Sequence, residues 1–183
     1  MPEFYELGEI IENNDWHVNQ SVLKHTLSVL KNLNNLFRKY TFQLGKPLNA
    51  RISKYSRRQL LFIAALLHDI AKKETIKNHK IFTECPRHEA EGAVKARKIL
   101  TRFDLSQKEQ DFVIEIIKKH GLTHKLPASD RKYLAAFKRK NKDIFLELIL
   151  LAIADVQGAM LKTGNPDDFK KRMVFYEVYG LKL

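Results

Sequence analysis

The sequence predicts an all-α protein, and three observations carry that expectation. Apolar residues recur at helical spacing along most of the chain. Capping residues stand ahead of several of those runs. Only 7 Gly and 5 Pro punctuate 183 residues, few for a chain built of short strands and turns. A bundle of about seven to eight helices accounts for the pattern.

Glu3, Glu6, Glu9 and Glu12 alternate with Phe4, Leu7, Ile10 and Ile11, which predicts a short amphipathic helix at the N-terminus. A second helix runs from Asn19 to Tyr40, with Val22, Leu23, Leu27, Leu30, Leu33, Leu36 and Phe37 inward. Residues 41–55 contain Gly45 and Pro47 and read as a loop. Ser56 caps a third helix that carries LLFIAALL and ends near Ala71. Residues 72–86 are polar and irregular, and a fourth helix covers Arg87 to Phe103. Ser106 and Glu109 form a capping box for a fifth, which stops at His120-Gly121. Ser129 caps a sixth, ending near Lys140. The seventh, Lys142 to about Leu161, is apolar nearly all round and should be central. Asn165-Pro166-Asp167-Asp168 opens the last, with Pro at the first helical position and acids in the first turn.

A single cysteine excludes a disulfide framework and a thiolate zinc cluster. No apolar run approaches the roughly 18 residues of a membrane span. The acidic N-terminus lacks a signal-peptide core, so a soluble cytoplasmic protein is expected. Net charge is +12, yet residues 1–16 hold five acids and no base, which leaves +17 on residues 17–183. The chain therefore divides into an acidic arm, 1–16, and a single basic domain, 17–183. The basic excess suits a polyanionic partner such as nucleic acid or a nucleotide, with a solvated lysine-rich surface as the alternative. The acidic arm against the basic body could support a homodimer.

The two most hydrophobic stretches run directly into charge. LLFIAALL leads into His68-Asp69, and LILLAIA leads into Asp155. A carboxylate at the end of a buried run is costly unless paired or metal-bound. Small neighbours, Ala64 and Ala65 behind His68 and Ala152, Gly158 and Ala159 around Asp155, leave room for a ligand. His25, His88 and His120 lie on or at the end of three further helices. Imidazole and carboxylate without thiolate suit one or two divalent ions of Mn, Fe, Co, Ni, Mg or Zn. His124 follows His120 by four residues, but Gly121 predicts a break between them and makes it a loop residue or substrate contact. His17 and His79 are expected at the surface.

His25, His68-Asp69 and a distant Asp155 resemble the H…HD…D signature of the HD-domain metal-dependent phosphohydrolases. ALLHDIAK, RHEAEGA, IIKKH and LAIAD stand in the order of that superfamily's blocks, across about residues 21–160. The nearest likeness is to the HD domain of bacterial tRNA nucleotidyltransferases. The sequence holds no strand-borne carboxylate pair and no Gly-rich phosphate loop, so a free-standing HD protein without CCA-adding activity is expected. The resemblance implies a first metal on His25, His68, Asp69 and Asp155. It implies that Asp69 bridges to a second metal on His88 and His120. Asp69 and Lys72 would be catalytic, with Lys72, Lys73, Arg87 and His124 binding substrate. The implied activity is a phosphatase, nucleotidase or cyclic phosphodiesterase acting on a nucleotide or RNA-end phosphate. The alternative is an RNA- or nucleic-acid-binding module with a structural or vestigial metal, using the basic segment Arg131, Lys132, Lys138, Arg139, Lys140 and Lys142.

Overall fold

In the computed structural model, which describes residues 1–126 and 131–181, the N-terminal segment is less regular than its periodicity predicts. Helix α1 covers Pro2–Tyr5, a 3-10 turn Glu6–Glu9 follows, and β1 (Ile11–Glu12) pairs antiparallel with β2 (Gln20–Ser21). The strand's two-residue alternation exposes Ile11 and buries Glu12, where a helical reading puts Glu12 outside. Ser21 then caps α2 (Val22–Lys39) by accepting from the Lys24 amide. His25, Thr26, Val29, Leu33, Leu36 and Phe37 line its buried face, while Leu27 is turned outward and 52% exposed.

The expected loop at 41–55 is corrected: α3 spans Thr41–Asn49. Leu44 and Leu48, one turn apart, bury together, and Pro47 lies near the end of the helix, where it removes one amide bond and only two residues follow. Helix α4 (Arg57–Leu67) opens at the Ser56–Gln59 capping box and stops four residues short of Ala71, leaving His68–Ala71 as a turn. Within the stretch expected to be irregular lie α5 (Lys72–Thr75) and a hairpin of β3 (Lys77–Asn78) and β4 (Thr83–Glu84). Helix α6 (His88–Leu100) starts after Arg87, whose φ of 61° reverses the chain direction. Helix α7 (Gln107–Lys119) carries the expected capping box at Ser106 and Glu109. It passes into a 3-10 turn, His120–Lys125, so the chain winds on beyond Gly121 where a break is predicted.

Helices α8 (Arg131–Lys140), α9 (Phe145–Gly158), α10 (Leu161–Gly164) and α11 (Pro166–Val174) complete the bundle, followed by a π-helical turn, Phe175–Gly180. The expected Ser129 cap lies outside the described residues. Asn165 caps α11 by accepting from the Asp168 amide at 3.1 Å. Every residue of α9 except Gln157 is buried, as its all-round hydrophobicity predicts. It lies against α2 at close range: a Cβ on Gly158 would stand 2.8 Å from the Val29 side chain, so only glycine admits this approach. The fold is all-α, with β structure limited to two short two-stranded pairs and an isolated Arg51–Ser56 bridge among the described residues.

Candidate metal centre

Five elements converge on Asp69. α2 supplies His25, the end of α4 supplies His68, α6 opens with His88, α7 runs into His120, and α9 supplies Asp155. The two oxygens of Asp69 face different imidazoles. Oδ2 lies 3.5 Å from His25 Nε2 and 3.1 Å from His68 Nε2. Oδ1 lies 3.5 Å from His88 Nε2 and 3.9 Å from His120 Nε2. His88 and His120 bring their Nε2 atoms within 3.3 Å of each other, and His25 Nε2 is 2.9 Å from Asp155 Oδ1.

The backbone presets three of these rings. Nδ1 of His68, His88 and His120 lies 2.7, 2.8 and 2.7 Å from the carbonyls of Ala65, Cys85 and Ile117, each three residues earlier. A carbonyl only accepts, so Nδ1 carries the proton and Nε2 of each neutral ring keeps its lone pair for a cation. The donor set also has unmet demand. His25 Nδ1, His68 Nε2 and Asp69 Oδ2 are buried without a hydrogen-bond partner. Lys72 Nζ reaches Asp69 Oδ2 at 3.0 Å as an ion pair, outside hydrogen-bond direction. Buried polar atoms are rarely left so, and a divalent cation among these donors would satisfy His68 Nε2 and Asp69 Oδ2. His25, His68 and Asp69 form one group able to hold a metal, and Asp69, His88 and His120 a second.

Electrostatics follow from the same crowding. Burial alone would raise the Asp69 carboxyl, but the charges of His68 and Lys72 hold it well below the usual carboxylate range. Asp155 is likewise held down against its burial, by hydrogen bonds from His124 and His25. Burial pushes the His120 imidazole down to about 3, with His68 and His88 adding repulsion. The two carboxylates are thus held anionic and the His120 imidazole neutral, while Asp69 raises the His68 imidazole against its burial.

Other residues singled out from sequence fall in different places. Lys72 lines the cavity beside the cluster, yet it is buried and bound to Glu12 at 2.7 Å, so its charge is already matched. It serves the β1 hairpin and Asp69 rather than an open phosphate position. Lys73 pairs with Glu6 at 3.0 Å on the exterior. Arg87 is exposed and lies 3.7 Å from Glu91, outside the cavity lining. His124 sits in the cavity wall, its Nε2 2.8 Å from Asp155 Oδ2, placed there by the 3-10 turn. His79 is exposed and stacked on Phe82, as expected.

His17 is corrected. It is buried, 2.9 Å from Gln20 Oε1 through Nδ1, and packs edge-on against His25 at 4.6 Å between ring centres. Burial pushes its imidazole down to about 4, aided by the nearby charges of Lys72 and His25. Glu12, Gln20, Trp16 and Arg172 also reach this region unannounced by the sequence. The only available signal is the period-two alternation around Glu12. Acids of the arm pair within the chain, Glu3 with Arg102, Glu6 with Lys73 and Glu12 with Lys72. On α8, Leu134 and Phe137 pack inward while Tyr133 is exposed.

A cavity of about 330 Å³ opens over the cluster, lined by Asp69, His88, His120 and Asp155 together with Trp16, Lys125 and Arg172. A family model described as the HD domain matches residues 22–160. A bifunctional uridylyltransferase/uridylyl-removing enzyme of Thiobacillus denitrificans is 32% identical over 175 residues, covering 90% of this chain and 19% of its own length. The enzyme of the same description from Nitrosospira multiformis is 27% identical over 172 residues, 90% of this chain and 18% of its own. That from Hydrogenovibrio crunogenus is 26% identical over 188 residues, 98% and 19%. The chain thus spans about a fifth of the length of the curated relatives it matches. These relatives replace the tRNA nucleotidyltransferases as the branch to which the motifs point. The blocks around His25, His68 and Asp155 are those a metal centre demands, so they do not separate one branch from another.

Proposed function

The chain belongs to the HD-domain family, and from that premise we propose that it is a metal-dependent phosphohydrolase that cleaves a phosphodiester linkage to a nucleotide. The relatives' description names uridylyl removal, and hydrolytic loss of a nucleoside monophosphoryl group breaks such a linkage. The observation that carries the reading is the split of Asp69, one oxygen toward His25 and His68 and the other toward His88 and His120. That arrangement supports two divalent ions sharing one carboxylate. Divalent ions held there lower the pKa of a bound water and neutralise charge that builds on phosphoryl oxygens.

The chain's own residues do the remainder. Asp155 is steered by His25 at 2.9 Å and His124 at 2.8 Å, so its carboxylate cannot swing out of the cavity. Lys72 ties Asp69 to Glu12 and keeps the N-terminal hairpin over the site. Lys125 and Arg172 bring positive charge to the cavity lining, where a phosphodiester anion would approach. The +17 excess beyond the arm strengthens that attraction.

Turnover of bis(p-nitrophenyl) phosphate by protein loaded in turn with Mn²⁺, Co²⁺, Ni²⁺, Zn²⁺ and Mg²⁺ tests the proposal. Metal-dependent hydrolysis that disappears in His68→Ala/Asp69→Ala at unchanged helicity is the expected result. Salt-sensitive RNA binding with no hydrolysis under any metal would overturn it in favour of a binding module.

A further inference from the structure

We propose that Trp16 and Arg172 form a nucleoside-binding wall, so that a nucleotidyl substrate sets its phosphoryl group toward Asp69, His88 and His120 and its base against this pair. The inference deepens the phosphohydrolase reading and rests on it. Both residues line the same cavity as the candidate metal ligands. Its volume of about 330 Å³ lies within the span of about 300–1,000 Å³ found for ligand pockets. Both also lie outside residues 22–160, the part matched by the family model. The shared domain supplies the metal chemistry, and the flanking segments are where this chain's own selectivity can arise.

Neither side chain is loosely held. The Arg172 guanidinium lies 4.9 Å over the Trp16 ring, with Nε donating to Asp168 Oδ2 at 2.7 Å and Nη1 to the His124 carbonyl at 3.0 Å. Trp16 is fixed through its backbone: its amide donates to Asn14 Oδ1 at 2.9 Å, and its carbonyl accepts from Met160 N at 2.7 Å. Its ring meets His124 edge-on at 4.8 Å, and His124 in turn holds Asp155 at 2.8 Å. The wall therefore stands one side chain away from the cluster. Yet Trp16 is only half-buried, leaving indole surface open to the cavity. A flat base can stack on an indole or a guanidinium plane whatever its sequence identity. A bare phosphate meets the Arg172 charge but has no flat base to stack on the wall.

Trp16 is the only tryptophan in the chain, so its fluorescence reports on the wall directly. Uridine 5′-monophosphate, ribose 5-phosphate and inorganic phosphate would be titrated into Zn²⁺-loaded protein. The nucleotide should change the emission while ribose 5-phosphate and phosphate do not, and Arg172→Ala should weaken nucleotide binding at least about tenfold. In kinetics, Trp16→Ala should lower kcat/KM for uridine 5′-(p-nitrophenyl phosphate) relative to bis(p-nitrophenyl) phosphate at least about tenfold, with Trp16→Phe recovering most of the loss. Equal responses to all three titrants, or equal losses on both esters, would overturn the proposal. Hydrolysis of neither ester by metal-loaded wild type would instead sink the phosphohydrolase reading, and the titration would still decide this one.

Discussion

Two of the buried carboxylates of this protein, Glu147 on α9 and Asp69 in the turn after α4, meet opposite fates. Glu147 on α9 is fully buried and is clasped by Arg57, whose Nε and Nη2 each donate to it at 2.8 Å. Arg57 also donates to the Asp143 carbonyl at 2.7 Å and stacks on Phe112, 5.1 Å from the ring centre. Burial still raises the Glu147 carboxyl above its ordinary value, against the pull of Arg57. Asp69 is equally buried, but its neighbours are imidazoles that leave hydrogen-bonding atoms unspent, and its carboxyl is driven down. A buried acid whose demands are met locally holds the fold together. One surrounded by preset lone pairs and unmet polar atoms is built to receive a cation.

The sharpest way to break the comparison is to neutralise each acid. Asp69→Asn should strip most of the bound metal and lower kcat/KM for bis(p-nitrophenyl) phosphate at least about a hundredfold, read by elemental analysis and steady-state kinetics. Glu147→Gln should do the reverse, retaining metal while losing stability. Breaking a buried pair costs about 3 kcal/mol, and at this chain length each kcal/mol lowers Tm by about 2–4 °C. Calorimetry should therefore show a drop of about 6–12 °C, and Arg57→Met/Glu147→Leu should recover much of it.

An intermediate effect is expected at His124, which touches Asp155 rather than filling a position around Asp69. His124→Asn should weaken metal affinity about ten- to a hundredfold, measured by competition with a chelator. The smallest effect belongs to Lys73 and Arg87, both exposed and outside the cavity. Lys73→Ala and Arg87→Ala should each leave stability close to that of wild type and turnover within about twofold of it.

The same pair explains how far the sequence could be read. His68-Asp69 and Asp155 announce themselves because charge interrupts apolar runs, and the fold places all three together with His25, His88 and His120. Glu147 interrupts an apolar run just as plainly in IFLELILL, yet it is structural. What separates it from Asp69 is Arg57, 90 residues away, and periodicity carries no information about such a partner. The partner of Lys72 is hidden for the same reason, since Glu12 reaches it from a strand that looks helical. Gly45 and Pro47 mark residues 41–55 as a loop, yet α3 holds both, because burial of Leu44 and Leu48 outweighs the local helix-breaking signals. Helix caps at Ser56, Ser106 and Asn165 were legible because their partners lie three residues on.

The most direct test of this account is metal per chain after loading with Mn²⁺ and desalting, compared across wild type, Asp69→Asn and Glu147→Gln. Two neighbouring ligand groups sharing Asp69 predict close to two ions in wild type and Glu147→Gln, and almost none in Asp69→Asn. Full occupancy in Asp69→Asn, or no metal in wild type, would contradict it.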